Sequence, residues 1–167
     1  FIIPVLTMRS YAEERRGRTD QLLMSAPVSM LSIALGKFFA IMTLFAVGLS
    51  FSLIYVIVLA QLGQFDFLVV LGNIVGMLVS ASAFAAIGML TSALTESQII
   101  ACIVSYAVLL GLWLIGSAQS YITNEAAKAL VGWLSISKRF AEFSMGIFDL
   151  ATVVYYLSIC AFFIYLV

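Results

Sequence analysis

The chain has 167 residues, 64% of them apolar and 10% charged, with a mean hydropathy of +1.18. Water-soluble domains run at roughly 45–50% apolar and about 25% charged, so an ordinary soluble domain is excluded. Eight basic and eight acidic residues cancel, which gives no electrostatic reason to expect a nucleic-acid partner.

The charges are also clustered, seven of the sixteen lying between Arg9 and Asp20. Long stretches elsewhere are nearly free of charge, the distribution of a polytopic membrane protein. The expected fold is all-α: a single transmembrane domain over residues 1–167, a bundle of spanning helices with one polar segment on the cytoplasmic side. In chain order, the apolar start FIIPVL is far too short to cross a bilayer and lacks the basic start and small-residue cleavage site of a signal peptide. Residues 1–8 therefore read as the end of a preceding span in a longer protein, or else as an interfacial anchor. A spanning helix needs about 20 mainly apolar residues. Residues 38–62 and 67–90 satisfy this; residues 99–116 and 150–167 are somewhat short.

Orientation follows from the basic residues. Arg9, Arg15, Arg16, Arg18 and Lys37 fall before the first complete span, against Lys128, Lys138 and Arg139 in the long stretch 117–149. Alternating crossings put residues 9–37 and 91–98 together on the side with more positive charge, which predicts that side to be cytoplasmic.

Within residues 9–37, Met8, Tyr11 and Ala12 can continue the helix that leaves the membrane. Residues 13–21 are polar and cannot lie in lipid, so they must project into water. Gly17 suits a break or C-cap. Thr19 suits the N-cap of a short second helix, with Asp20 in its first turn and Pro27 at its end. Ser29 can cap a third helix on which Leu31, Ala34 and Leu35 share a face, and Lys37 can snorkel to the headgroups where the chain enters the bilayer. The segment is either a solvated loop or a short helix offering apolar and charged side chains to a soluble partner.

The run EERRGRTDQLLMSAPVSMLSIALGKFFA resembles the signature between the second and third spans of type-2 ABC exporter permeases, in particular the gliding-motility-type and sodium-efflux-type branch. Matching positions are Glu13, Glu14, Arg15, Arg16, Thr19, Leu22, Leu23, Ala26, Pro27, Val28, Leu35, Gly36, Lys37 and Phe38. Arg18 departs from the pattern, which more often has glycine there. Further similarity runs through residues 86–88, 94–98 and 138–146. The resemblance implies a six-span permease subunit in a bacterial plasma membrane, of which this chain would hold the third to sixth spans. It also implies a second permease subunit and an ABC ATPase subunit as partners. ATP and Mg would sit on the ATPase, with no cofactor in this chain. The coupling helix that docks the ATPase would be formed by Glu13, Glu14, Arg15, Arg16, Thr19, Asp20, Gln21, Leu22, Leu23 and Pro27.

Inside the bilayer, Gly72 and Gly76 would let helices approach closely. Asn73 needs a partner to offset its desolvation, and is either interhelical glue or, with Ser80, part of a substrate path. Thr95 and Gln98 form a capping-box pattern, and Glu96 suits the first turn of the following helix or contact with the ATPase. Residues 117–149, with Tyr121 and Trp133 fit for an interface, suggest external amphipathic or re-entrant helices. Lys138, Arg139, Glu142 and Asp149 read as interfacial charges.

An enzyme is disfavoured. Histidine is absent, which removes His triads and His-ligated metals. Cys102 and Cys160 sit alone in apolar runs and suit helix packing. No phosphate-loop motif occurs, and no charged residue lies inside the four apolar runs. The function expected is that of a transmembrane permease driven by a separate ATPase; the alternative is a structural or receptor-like membrane subunit.

Overall fold

The computed structural model describes residues 2–19, 29–62, 67–118, 140 and 149–167. They form helices α1 (Ile2–Thr7), α2 (Ala12–Gly17), α3 (Met30–Leu62), α4 (Phe67–Ala93), α5 (Gln98–Ala118) and α6 (Leu150–Leu166), with no strand among the described residues. Three stretches are long and apolar enough to cross a membrane: Met30–Val58, Phe67–Ala93 and Gln98–Ile115. The 17-residue α6 is apolar but shorter. The chain is thus an all-α, multi-pass membrane protein by length and composition. Bulky side chains on α3 such as Phe51 and Tyr55 are exposed, as expected where the surrounding solvent is hydrocarbon.

The third helix and the first span are one element, so Lys37 lies inside a helix. Ser29 accepts from the Ser32 N–H at 3.3 Å, and from Met30 a single helix of 33 residues runs to Leu62. At 1.5 Å per residue that is about 50 Å, well beyond the roughly 30 Å of a hydrocarbon core. Nothing in MLSIALGKFF obliges a break, because no proline intervenes and Gly36 has open space around its Cα. The face predicted from Leu31, Ala34 and Leu35 is also shifted: Leu31 is exposed, and the buried line is Ala34, Phe38 and Ile41.

α4 is the central helix. One third of its apolar window is buried, against 6% and 11% for the windows of α3 and α5, and it packs on α1, α3, α5 and α6. Its buried positions are mostly small: Gly72, Gly76, Ser80, Ala81, Ser82, Ala83, Ala85, Ala86 and Gly88. Lipid tails are as apolar as leucine, so helices associate through close packing rather than hydrophobic exclusion, and small side chains let backbones approach. Ile3, Phe38, Ile41 and Cys160 from three other helices fill against Ala81, Ala85, Ala86 and Met89. Asn73 has a partner on its own helix: its amide donates to the Val69 carbonyl at 2.9 Å, one turn back.

Two helix starts also differ. α5 begins at Gln98, with the Ser97 carbonyl accepting the Ala101 N–H at 2.9 Å. The Thr95 hydroxyl donates to the same Ser97 carbonyl at 3.3 Å instead of closing a capping box, and the exposed Glu96 precedes the first turn. Asp149, read as a simple interfacial charge, is the N-cap of α6, its carboxylate accepting from the Ala151 N–H at 3.0 Å. The external helices expected from residues 117–149, including Tyr121, Trp133, Lys138, Arg139 and Glu142, fall outside the described residues apart from the end of α5, Phe140 and Asp149.

The closest approach involves Gly88 and the fully buried Thr7 of α1. A Cβ on Gly88 would meet Thr7 Cβ at 2.9 Å and Thr7 Cγ2 at 3.0 Å. Gly111 on α5 has nothing within 4 Å of the same position. Gly88→Ala is therefore expected to push α1 off α4 and cost about 1–3 kcal/mol, as overpacking does. Gly111→Ala should be neutral or mildly stabilising. Thermal unfolding of the two variants in detergent checks the difference, and equal effects would refute the close-approach account.

Candidate functional site

The end of the bundle that carries Arg9, Arg15, Arg16, Arg18 and Lys37 also carries the 94–97 turn between α4 and α5. There the arginine-bearing segment is hydrogen-bonded to the end of α4. α1 does not run on into α2: it ends at Thr7, and residues 8–11 make a tight elbow. Its cause is Ser92, a fully buried residue one position before the end of α4. Ser92 Oγ accepts from the N–H groups of Tyr11 and Ala12, both at 3.1 Å, and donates to the Met8 carbonyl at 3.0 Å. Tyr11 occupies the N-cap position of α2 and provides no side-chain cap of its own. Ser92 supplies that cap from another helix and so replaces the bonds a continuous helix would have made.

The second anchor is Lys37. Expected to snorkel outward, it turns inward instead. Its ammonium donates to the Ser10 carbonyl at 2.7 Å, pairs with the Glu14 carboxylate, and lies 3.8 Å from the centroid of the Tyr11 ring. Burial, and then the neighbouring Glu14 carboxylate, push the Tyr11 phenol up to about 12. The ring under the ammonium is therefore neutral across the physiological range, the form that suits a cation–π contact. Ser92 and Lys37 together fix α2 to α4 and α3.

α2 itself is ordered by its charge pattern. Glu13 and Glu14 occupy the first turn and Arg15 and Arg16 the last, each sign at the end of the helix dipole that favours it. Gly17 was the expected break, yet it is the last helical residue. Arg18 takes the left-handed conformation at φ 54°, ψ 24°. The Arg18 N–H donates to the Arg15 carbonyl at 3.2 Å and the Thr19 N–H to the Glu14 carbonyl at 3.0 Å, the Schellman pattern. Thr19 also directs its hydroxyl back to the Glu14 carbonyl at 3.3 Å. Asp20, Gln21, Leu22, Leu23 and Pro27, which completed the predicted docking segment, lie outside the described residues.

Of the residues assigned to packing or a substrate path, Gly72, Gly76 and Ser80 are buried on α4. The Ser80 hydroxyl donates to the Gly76 carbonyl at 2.7 Å, and Ser80 lines a cavity of about 460 Å³ with Phe45, Phe84, Trp113 and Tyr156. Nearer the arginine-rich end, the buried hydroxyls of Thr91 and Ser105 hydrogen-bond across α4 and α5. No cluster of three or more metal-ligating side chains occurs among the described residues. The arrangement suits mechanical transmission: a short charged helix fastened to two spans.

Ser92, Ser105 and the inward role of Lys37 were not visible in the sequence. Ser92 is a lone hydroxyl at the end of an apolar run, and no local pattern connects it to backbone groups 80 residues earlier. No protein-family model matches the chain, and neither does any curated protein or solved structure.

Two variant pairs test the elbow. Ser92→Ala leaves two buried N–H groups without an acceptor, an expected cost of about 1–3 kcal/mol. Ser10 Oγ is the buried side-chain atom without a partner among the described residues, so Ser10→Ala should cost nothing. Chemical or thermal unfolding, with amide exchange at Tyr11 and Ala12, reads the contrast. Arg18→Gly should relieve left-handed strain by about 1 kcal/mol and slow amide exchange at Thr19, whereas Arg18→Ala should do neither.

Proposed function

We propose that this chain is the permease subunit of an ABC exporter, working with a second permease subunit and driven by a separate ATPase. The observation that carries the reading is the fastening of α2 by Ser92 and the Lys37–Glu14 pair. Force applied to the segment after α2 passes directly into the central helix α4 and the span α3. A transporter whose energy comes from a soluble motor needs such a joint, because binding at the surface must bias a two-state membrane element. The absence of a phosphate-loop motif fits an ATPase on another chain, and the resemblance of residues 13–40 to the coupling region of type-2 exporters supports the same arrangement. In this reading the arginine-rich end faces the cytoplasm of a bacterial cell, as the excess of basic residues favours. Glu13, Glu14, Arg15, Arg16, Thr19, Asp20, Gln21, Leu22, Leu23 and Pro27 are the residues that would dock the ATPase. The cavity beside Ser80 lies on the transport side of the joint.

The test is Leu22→Asp with Leu23→Asp in the full-length protein. The double variant should insert normally yet lose copurification of the ATPase and at least tenfold of ATP-driven transport in proteoliposomes. Undiminished ATPase association and transport in that variant would overturn the reading, as would failure of any ATPase to copurify with the unmodified protein.

A further inference from the structure

A cavity of about 490 Å³ opens at the arginine-rich end between α2, the start of α3, the last residue of α4 and the end of α6. Its volume falls in the range of small-molecule sites, roughly 300–1,000 Å³. One wall is apolar: Leu31, Ala34 and Ile164. The other is polar, formed by Tyr11, Glu14 and Arg15. Glu14 is the acid on this lining and is held by Lys37, which leaves the exposed Arg15 guanidinium as the charge on the rim.

The surroundings of this cavity decide what can fill it. α3 is about 50 Å long, longer than the roughly 30 Å of hydrocarbon, and near its start the Lys37 ammonium meets the Ser10 carbonyl and the Glu14 carboxylate beside this cavity. Met30 and Leu31 are 56% and 53% exposed. This exposed apolar surface adjoins a guanidinium whose planar fork matches phosphate oxygens.

We propose that this cavity holds one anionic phospholipid of the adjoining leaflet, its phosphodiester against Arg15 and an acyl chain along Leu31, Ala34 and Ile164. The charge complementarity selects the headgroup. Arg9, Arg16 and Arg18 are exposed but do not line the cavity. The acyl chain covers the exposed start of α3, and the lipid bridges α2 to α3 and α6. It thereby reinforces the joint made by Ser92 and Lys37. The site depends only on membrane insertion and stands whether or not an ATPase docks on this end.

The experiment uses the full-length protein, without ATPase, in phosphatidylcholine nanodiscs doped with phosphatidylglycerol carrying a photoactivatable acyl chain. Crosslinked peptides are located by mass spectrometry. Labelling should concentrate at the start of α3 and the end of α6, and should exceed that by the matching phosphatidylcholine probe. Arg15→Gln should lower it about fivefold, the loss of one guanidinium–phosphate contact, while Arg18→Gln, outside the lining, leaves it within twofold. Ala34→Trp, which fills the cavity, should abolish it; if that variant does not fold, the two arginine variants decide alone. Equal labelling by both lipids overturns the proposal, as does labelling confined to other helices, or an Arg18→Gln loss as large as that of Arg15→Gln. An absence of labelling anywhere in the cavity, as expected if protein rather than lipid covers it, overturns it equally. None of these outcomes bears on ATPase copurification, which tests the permease reading separately.

Discussion

Where the chain turns out of α1, three backbone groups depend on one hydroxyl. The N–H groups of Tyr11 and Ala12 and the carbonyl of Met8 all bond to Ser92 Oγ, a residue with no exposed surface. At the edge of a bilayer water cannot be counted on to satisfy a broken helix, and an unpaired buried amide is expensive. The elbow therefore exists only because α4 ends beside it. That dependence sets the relative positions of α1, α2 and α4, and through Lys37 and Glu14 it sets α3 as well.

The central helix makes the arrangement possible by being thin. Glycine, alanine and serine occupy most of its buried positions, so four neighbours can approach it, and at Gly88 the approach is close enough that no Cβ would fit beside Thr7. The larger apolar residues are displaced outward, onto faces such as that of α3 carrying Phe51 and Tyr55. In water this distribution would be unstable; in lipid it is favourable, because contact with acyl chains costs bulky side chains nothing while close backbone packing holds the helices together.

Seen as a machine, the arginine-rich end combines a short rigid helix with two fixed attachments. These attachments fasten α2 to α4 through Ser92 and to α3 through Lys37. The charges divide their roles accordingly. Glu14 is spent inward on Lys37, Glu13 and the arginines remain exposed, and the exposed set is what a partner or a leaflet would meet first.

The sequence alone determined the solvent of this protein, its helical class and the position of its apolar runs, because these follow from composition and from one-dimensional length. It also set the dense run of charges from Arg9 to Asp20 apart from the apolar runs, since such a run cannot enter hydrocarbon. It did not determine where that segment bends. Continuity through Met8 and Tyr11 was the local preference, and Gly17 the local choice for a left-handed turn; the structure instead breaks the chain at residues 8–11 and places the turn on Arg18. Lys37, expected at the headgroups, shows the reason: its partners Ser10 and Glu14 lie 27 and 23 residues earlier in the chain. That expectation rested on neighbours in sequence, while the groups that receive its ammonium were chosen by how α2 and α3 packed.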